Sequence, residues 1–218
     1  AANRSCQTAA GLLLISFLPS PEGHCSQMSS TPLKLYLAGP EVFLPDARAI
    51  LDAKAALTRT YGFEPICPGD LAIPPAPTKH QFGLNISEVD EGFMNRADGV
   101  IANLTPFRGI AADPGTVFEL GYMCGAGKLV ACYTNVEASH YQRSADFYSG
   151  AIHLAEDGRK RAPDGTMLED FEMIENLMLH GGVERRGGPV AVTAANPEAL
   201  WTDFTAFEQC LKALSERV

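Results

Sequence analysis

Two kinds of apolar block alternate along the chain. Residues 33–38, 62–67, 98–104, 128–134 and 189–193 are apolar at nearly every position, too short for helices, and read as strands. Gly39-Pro40 closes the first and Pro68-Gly69 the second, as turn residues should. Between them the spacing changes. Ala47, Ile50, Leu51, Ala55 and Leu57 recur at helical intervals over residues 45–61. Further helices are expected at 87–97, opened by Ser87, and at 114–126, 167–180 and 197–217. Residues 70–84 are proline-rich and read as a surface loop. Residues 135–165, long and mixed in composition, read as a lid or an excursion that meets a partner.

Strands apolar on both faces and separated by helices predict an α/β fold, a doubly wound parallel sheet of about five strands with helices on both faces. Ligands in such sheets bind beyond the carboxyl ends of the strands. That rule gathers Gly39-Pro40, residues 103–113 and the chain from Asn135 onward around one crevice.

The chain has 218 residues, enough for one domain over 31–218 with a tail. Arg4 followed by an apolar run at 11–18 superficially resembles a secretory signal, but no cleavage pattern follows. Residues 1–30 are therefore expected to be a disordered extension upstream of a start at Met28. The net charge of −9 and the scatter of basic residues exclude a nucleic-acid backbone as partner and favour a small neutral ligand. No apolar stretch is long enough to span a membrane. Cys6, Cys25, Cys67, Cys124, Cys132 and Cys210 show neither CxxC pairs nor Cys/His metal spacing. They are expected to be reduced, in a cytoplasmic protein without metal or organic cofactor.

Chemistry concentrates in the stretch Asp113 to Tyr122. Asp113 before Pro114 fits a helix N-cap. Helical spacing then leaves Glu119 in an apolar helix, with Val117, Leu120 and Cys124 free to face the sheet and Gly115 leaving room beside the acid. A carboxylate there is costly unless exposed, paired or kept for use. On local pattern alone the alternatives stay open: Glu119 as half of an ion pair, Asp98 as a turn residue before Gly99, Asp113 as a bare cap, Tyr36 as packing and Gly39-Pro40 as a bare turn.

Taken together, Tyr36-Leu-Ala-Gly-Pro, Ala97-Asp-Gly-Val-Ile-Ala-Asn-Leu, Asp113-Pro-Gly-Thr-Val-Phe-Glu-Leu-Gly-Tyr and Asp164-Gly-Thr-Met-Leu-Glu-Asp-Phe-Glu-Met-Ile-Glu-Asn-Leu-Met resemble the nucleoside 2-deoxyribosyltransferase family in its own order. The resemblance implies a flavodoxin-like fold and a homo-oligomer whose active sites are completed by a neighbouring subunit. It implies nucleosides and free nucleobases as substrates, and transfer of a 2-deoxyribosyl group by double displacement with slow hydrolysis as side reaction. It makes Glu119 the nucleophile, Tyr36 the hydroxyl that orients it, Asp98 an acid near the nucleobase and Asp113 the acid for the sugar hydroxyls. Gly39 and Pro40 line the substrate, and Asn176 and Met178 are the neighbour's contribution. Two alternatives remain: a deoxynucleotide N-glycosidase, with Arg108 and Thr116 as phosphate contacts, and a non-catalytic nucleotide-binding sensor module. Asp113 would repel a 5′-phosphate, which favours nucleosides.

Overall fold

In the computed structural model, residues 31–218 are described, and residues 32–218 form one unit. The expected N-terminal extension, Met28, Cys6 and Cys25 lie outside the described residues. Five parallel strands make the sheet: β1 (Lys34–Ala38), β2 (Glu64–Ile66), β3 (Gly99–Asn103), β4 (Leu129–Thr134) and, near the C-terminus, β7 (Val190–Val192). Their order is β2-β1-β3-β4-β7. The order of the strands therefore reverses between β1 and β3, the point at which doubly wound folds open a ligand crevice.

Side-chain alternation explains why both faces are covered. Leu35, Leu37, Ile101, Ala131 and Tyr133 point to one face and pack on Leu51 and Ala55 of α1 (Ala47–Thr60) and on Phe207, Leu211 and Leu214 of α6 (Thr205–Ser215). Tyr36, Ala38, Val100, Ala102, Val130 and Cys132 point to the other. There they meet Phe93 and Met94 of α2 (Lys79–Arg96), Leu120 and Met123 of α3 (Pro114–Gly125) and Val183 of α5 (Leu177–Glu184). Cys67, Cys124, Cys132 and Cys210 are free thiols. Among the described residues no helix is long and apolar enough to cross a membrane.

Three expectations are corrected. Helix α2 begins at Lys79, not Ser87, because Thr78 caps it by accepting from the Gln81 amide (3.1 Å). Phe82, Leu84 and Ile86 in its first turns stay exposed, so no apolar stripe marks the start. Residues 135–165, expected to be a lid or an excursion that meets a partner, hold α4 (His140–Phe147) and a hairpin of β5 (His153–Leu154) with β6 (Lys160–Arg161). The helix expected at 167–180 does not form. The chain takes a left-handed turn at Glu172 (φ 57°), and α5 starts only after Asn176, which caps it by accepting from the Met178 amide (3.0 Å).

The cause lies outside the segment. Arg143 of α4 donates to buried Glu175 (2.6 Å) and also to the carbonyls of Ile110 (2.7 Å) and Ala138 (2.6 Å). That set of bonds ties residues 169–178 to the loop before α3 and outweighs local helical preference. Last, the helix expected over 197–217 is divided. Pro197–Ala199 is a short 3-10 turn, and the carbonyls of Leu200 and Asp203 accept from Asn135 (2.8 and 2.9 Å) before α6 begins.

Candidate active site

Position fixes the chemistry here. Tyr36 sits at the middle of β1, fully buried on the face that carries α3, and its hydroxyl donates to Glu119 Oε1 at 2.6 Å. Glu119 is partly buried in the second turn of α3, and its carboxyl is pushed up to about 7. Burial is the main cause. The Tyr36 bond works against it, while the negative charges of Asp90, Asp113 and Glu41 add to it. Burial and the adjacent Glu119 likewise raise the Tyr36 phenol, so at neutral pH it is a donor.

Asp113 caps α3: Oδ2 accepts from the Thr116 amide (3.0 Å) and hydroxyl (3.2 Å). Gly115 leaves room beside Asp113 rather than beside Glu119, since an added Cβ would lie 3.0 Å from Asp113 Oδ2. On the sheet side of α3, Leu120 and Met123 are buried while Val117 and Cys124 are only half-buried, so the buried face is rotated from the expected one.

Gly39 and Pro40 close β1 beside a buried polar chain. Glu41 is 1% exposed and its Oε1 accepts from Lys54 (2.7 Å), Asn103 (2.9 Å) and Tyr133 (3.2 Å). Burial pushes Glu41 up, but the Lys54 ammonium and the bonds from Lys54 and Asn103 outweigh it and hold the carboxyl below its usual range. Asn103 in turn accepts from the Thr105 amide (3.0 Å), and the Thr105 hydroxyl from the Asn135 amide (3.0 Å). The chain runs across the carboxyl ends of β1, β3 and β4 and makes the crevice floor rigid. A Cβ on Gly39 would stand 1.9 Å from Glu41 Oε2, so only glycine fits between that fixed carboxylate and the crevice.

Asp98 is not brought to this site. It precedes β3, at the amino end of the sheet, where its carboxylate accepts from the Lys34 amide (2.8 Å). It lines a shallow depression with Gly127, Lys128, Arg186 and Arg217, past the C-terminal end of α3. Ligand crevices of parallel sheets open at the other end. The acid that does face Tyr36 and Glu119 is Asp90 of α2, half-buried, its carboxyl raised by burial. In the sequence it sits inside the run Ser87 to Glu91, where no motif marks it. One signal was present: Asp90 shares the helical stripe of Phe93, Met94 and Ala97, all buried, at intervals of three, four and seven.

Asn176 and Met178 stand at the start of α5 and make no hydrogen bond to Tyr36, Glu119 or Asp113. The Asn176 amide donates to both oxygens of Glu169 (2.9 and 3.0 Å), and Met178 is 72% exposed. Met167, Phe171 and Leu177 are exposed with it.

The chain has relatives. Residues 35–178 match the family model described as nucleoside 2-deoxyribosyltransferase. An uncharacterized protein of Schizosaccharomyces pombe is 31% identical over 179 residues, covering 77% of this chain and 85% of that one. Among solved structures, a 2-desoxiribosyltransferase from Leishmania mexicana superposes with a TM-score of 0.53 and 29% identity, over 79% of this chain and 97% of its own. A conserved protein from Enterococcus faecalis V583 has a TM-score of 0.52 at 16% identity, over 86% and 99%, and is alike in fold.

Proposed function

Because the chain belongs to the nucleoside 2-deoxyribosyltransferase family, we propose that it moves a 2-deoxyribosyl group between nucleobases through a covalent ester on Glu119. The observation that carries this reading is the Tyr36–Glu119 bond at 2.6 Å, which holds a carboxylate at the open end of the sheet beside two further acids.

In the first half-reaction Glu119 attacks the anomeric carbon while the bond from that carbon to the base nitrogen breaks. Asp90, whose carboxyl is raised by burial and so holds a proton more readily, gives a proton to the departing base. Charge that develops on the sugar ring is stabilised by the carboxylate beneath it. The second base then attacks the same carbon, its proton returns to Asp90, and Glu119 is released with retention at the sugar. Water in place of the second base gives hydrolysis. Asp113, with Oδ2 held by Thr116, presents its other oxygen to the sugar hydroxyls. Asp113 and Glu119 at the crevice disfavour a 5′-phosphate, which supports nucleosides over nucleotides as substrates.

The test is a single incubation with deoxyguanosine as donor and hypoxanthine as acceptor. Formation of deoxyinosine and free guanine in equal amounts is the expected result. Release of guanine alone would make the protein a hydrolase, and no change would leave the sensor reading.

We propose also that Asn176 and Met178 serve a neighbouring copy. Met167, Phe171, Leu177 and Met178 form an exposed apolar group around them, which a second subunit would cover. Asn176→Ala and Glu119→Ala proteins, inactive singly, are expected to recover part of the activity when mixed with subunit exchange, because some sites then carry both native residues. No recovery, with exchange confirmed by mass spectrometry, would give Asn176 only its helix-capping role.

A further inference from the structure

At the switch point between β1 and β3 the rim of the crevice is aromatic. Phe43, from the turn after β1, and Phe107, from the loop after β3, stack at 5.5 Å with planes 19° apart. Trp201 meets Phe107 edge-on at 6.0 Å. Phe43 is 53% exposed, more than a packing residue requires. Over both phenylalanine rings lies the guanidinium of Arg108, 4.9 Å from Phe43 and 4.6 Å from Phe107. Its backbone is in the left-handed region (φ 57°), sparsely populated for a residue with a side chain, and this directs arginine back over the rings. Among the described residues no carboxylate pairs with it.

A guanidinium held over aromatic rings by its charge keeps N–H donors free to offer to another group. Those donors form a planar fork, matched by two adjacent acceptors in the same plane. Oxygen 6 and nitrogen 7 of a 6-oxopurine are such a pair. Adenine puts an amino donor where the oxygen would be and so sets donor against donor. Phosphate also fits an arginine fork, but Asp113 and Glu119 stand at the same crevice and repel a dianion, and the exposed Phe43 ring recognises a planar ring.

We infer that Arg108, seated on Phe43 and Phe107, selects 6-oxopurines such as hypoxanthine and guanine as the bases this protein accepts. The inference deepens the transferase reading and rests on it for placing a base at this crevice. Arg108 reads the edge of the purine while the aromatic rim receives its face. Asp90 acts on the proton at the glycosidic side.

Trp201 is the only tryptophan of the chain, so its fluorescence reports a ring arriving at Phe107 without any turnover. The full chain is titrated with hypoxanthine and with adenine, and the titration is repeated with Arg108→Lys and Arg108→Gln. Hypoxanthine is expected to bind about tenfold or more tightly than adenine, the discrimination of one bidentate arginine–purine contact. Both variants are expected to lose roughly tenfold or more for hypoxanthine and less than about threefold for adenine. Lysine keeps the charge and removes the fork, so a site that works by charge alone would survive that change. Equal binding of the two bases, no binding of hypoxanthine, an Arg108→Lys protein of unchanged affinity, or displacement of hypoxanthine by inorganic phosphate would overturn the inference. Selective binding that persists without any transfer would instead count against the transferase reading.

Discussion

Replacing Glu119 with alanine is expected to lower kcat/KM for transfer by about 10⁴-fold or more, the scale on which removal of a covalent nucleophile acts. Acid quench with a 2-fluorinated deoxynucleoside should leave a sugar adduct on Glu119 in the unaltered protein and none in the variant. Near-normal turnover, or an adduct elsewhere, would take Glu119 out of the chemistry. The same residue has a stability signature that can be read without substrate. Its carboxyl is raised from about 4.5 to about 7 in the folded chain, while the unfolded chain ionises at the ordinary value. Between these two pH values the folded form binds the extra proton, so the contribution of Glu119 to stability declines as pH rises through that window. Above pH 7 the charged acid costs up to about 3 kcal/mol, and below about pH 4.5 the cost vanishes. Glu119→Gln, which keeps an acceptor for Tyr36, should therefore be more stable than the unaltered chain at pH 8 and equal to it near pH 4.5. Thermal melts at the two pH values check the sign, and parity at pH 8 would show that the carboxylate is not held in an unfavourable site.

Asp90→Asn is expected to cost about 10²–10⁴-fold in kcat for natural deoxynucleosides, the usual contribution of a positioned general acid. The defect should depend on the leaving group. A donor such as 4-nitrophenyl 2-deoxyriboside departs without a proton and is expected to lose less than about tenfold, because the missing acid had little to do for it. A carboxyl that merely packs against α3 would affect both donors alike. Asp98→Asn is the companion experiment: its carboxylate accepts from Lys34 at the amino end of the sheet, far along α3 from the Asp113 cap. Turnover by that variant within about twofold of normal supports Asp90 as the acid, whereas a hundredfold loss would restore Asp98 to the reaction.

The sheet and its strands were legible because their information is local. Leu35, Tyr36, Leu37 and Ala38, or Val100, Ile101 and Ala102, are apolar at consecutive positions, and a strand covered on both faces leaves that pattern wherever it occurs. Helix α3 was legible for a similar reason, since Asp113 and Pro114 start it by bonds and sterics confined to four residues. Its rotation was read slightly wrong, because Met123 and Thr116 are buried by what lies opposite them.

What the chain could not disclose is carried by pairs distant in sequence. The segment 167–180 has helical apolar spacing, yet Arg143, 32 positions before Glu175, captures that carboxylate and unwinds the first turns. Glu41 looks like a surface acid until Lys54, Asn103 and Tyr133 converge on it from three other elements. Asp98 and Asp90 sit eight residues apart in similar polar surroundings, and only the direction of β3 decides which of them reaches Glu119. A parallel strand has one end that opens on the crevice and one that does not. Hydrophobic periodicity, being the same from either end of a strand, marks the strand but not which acid stands at the mouth.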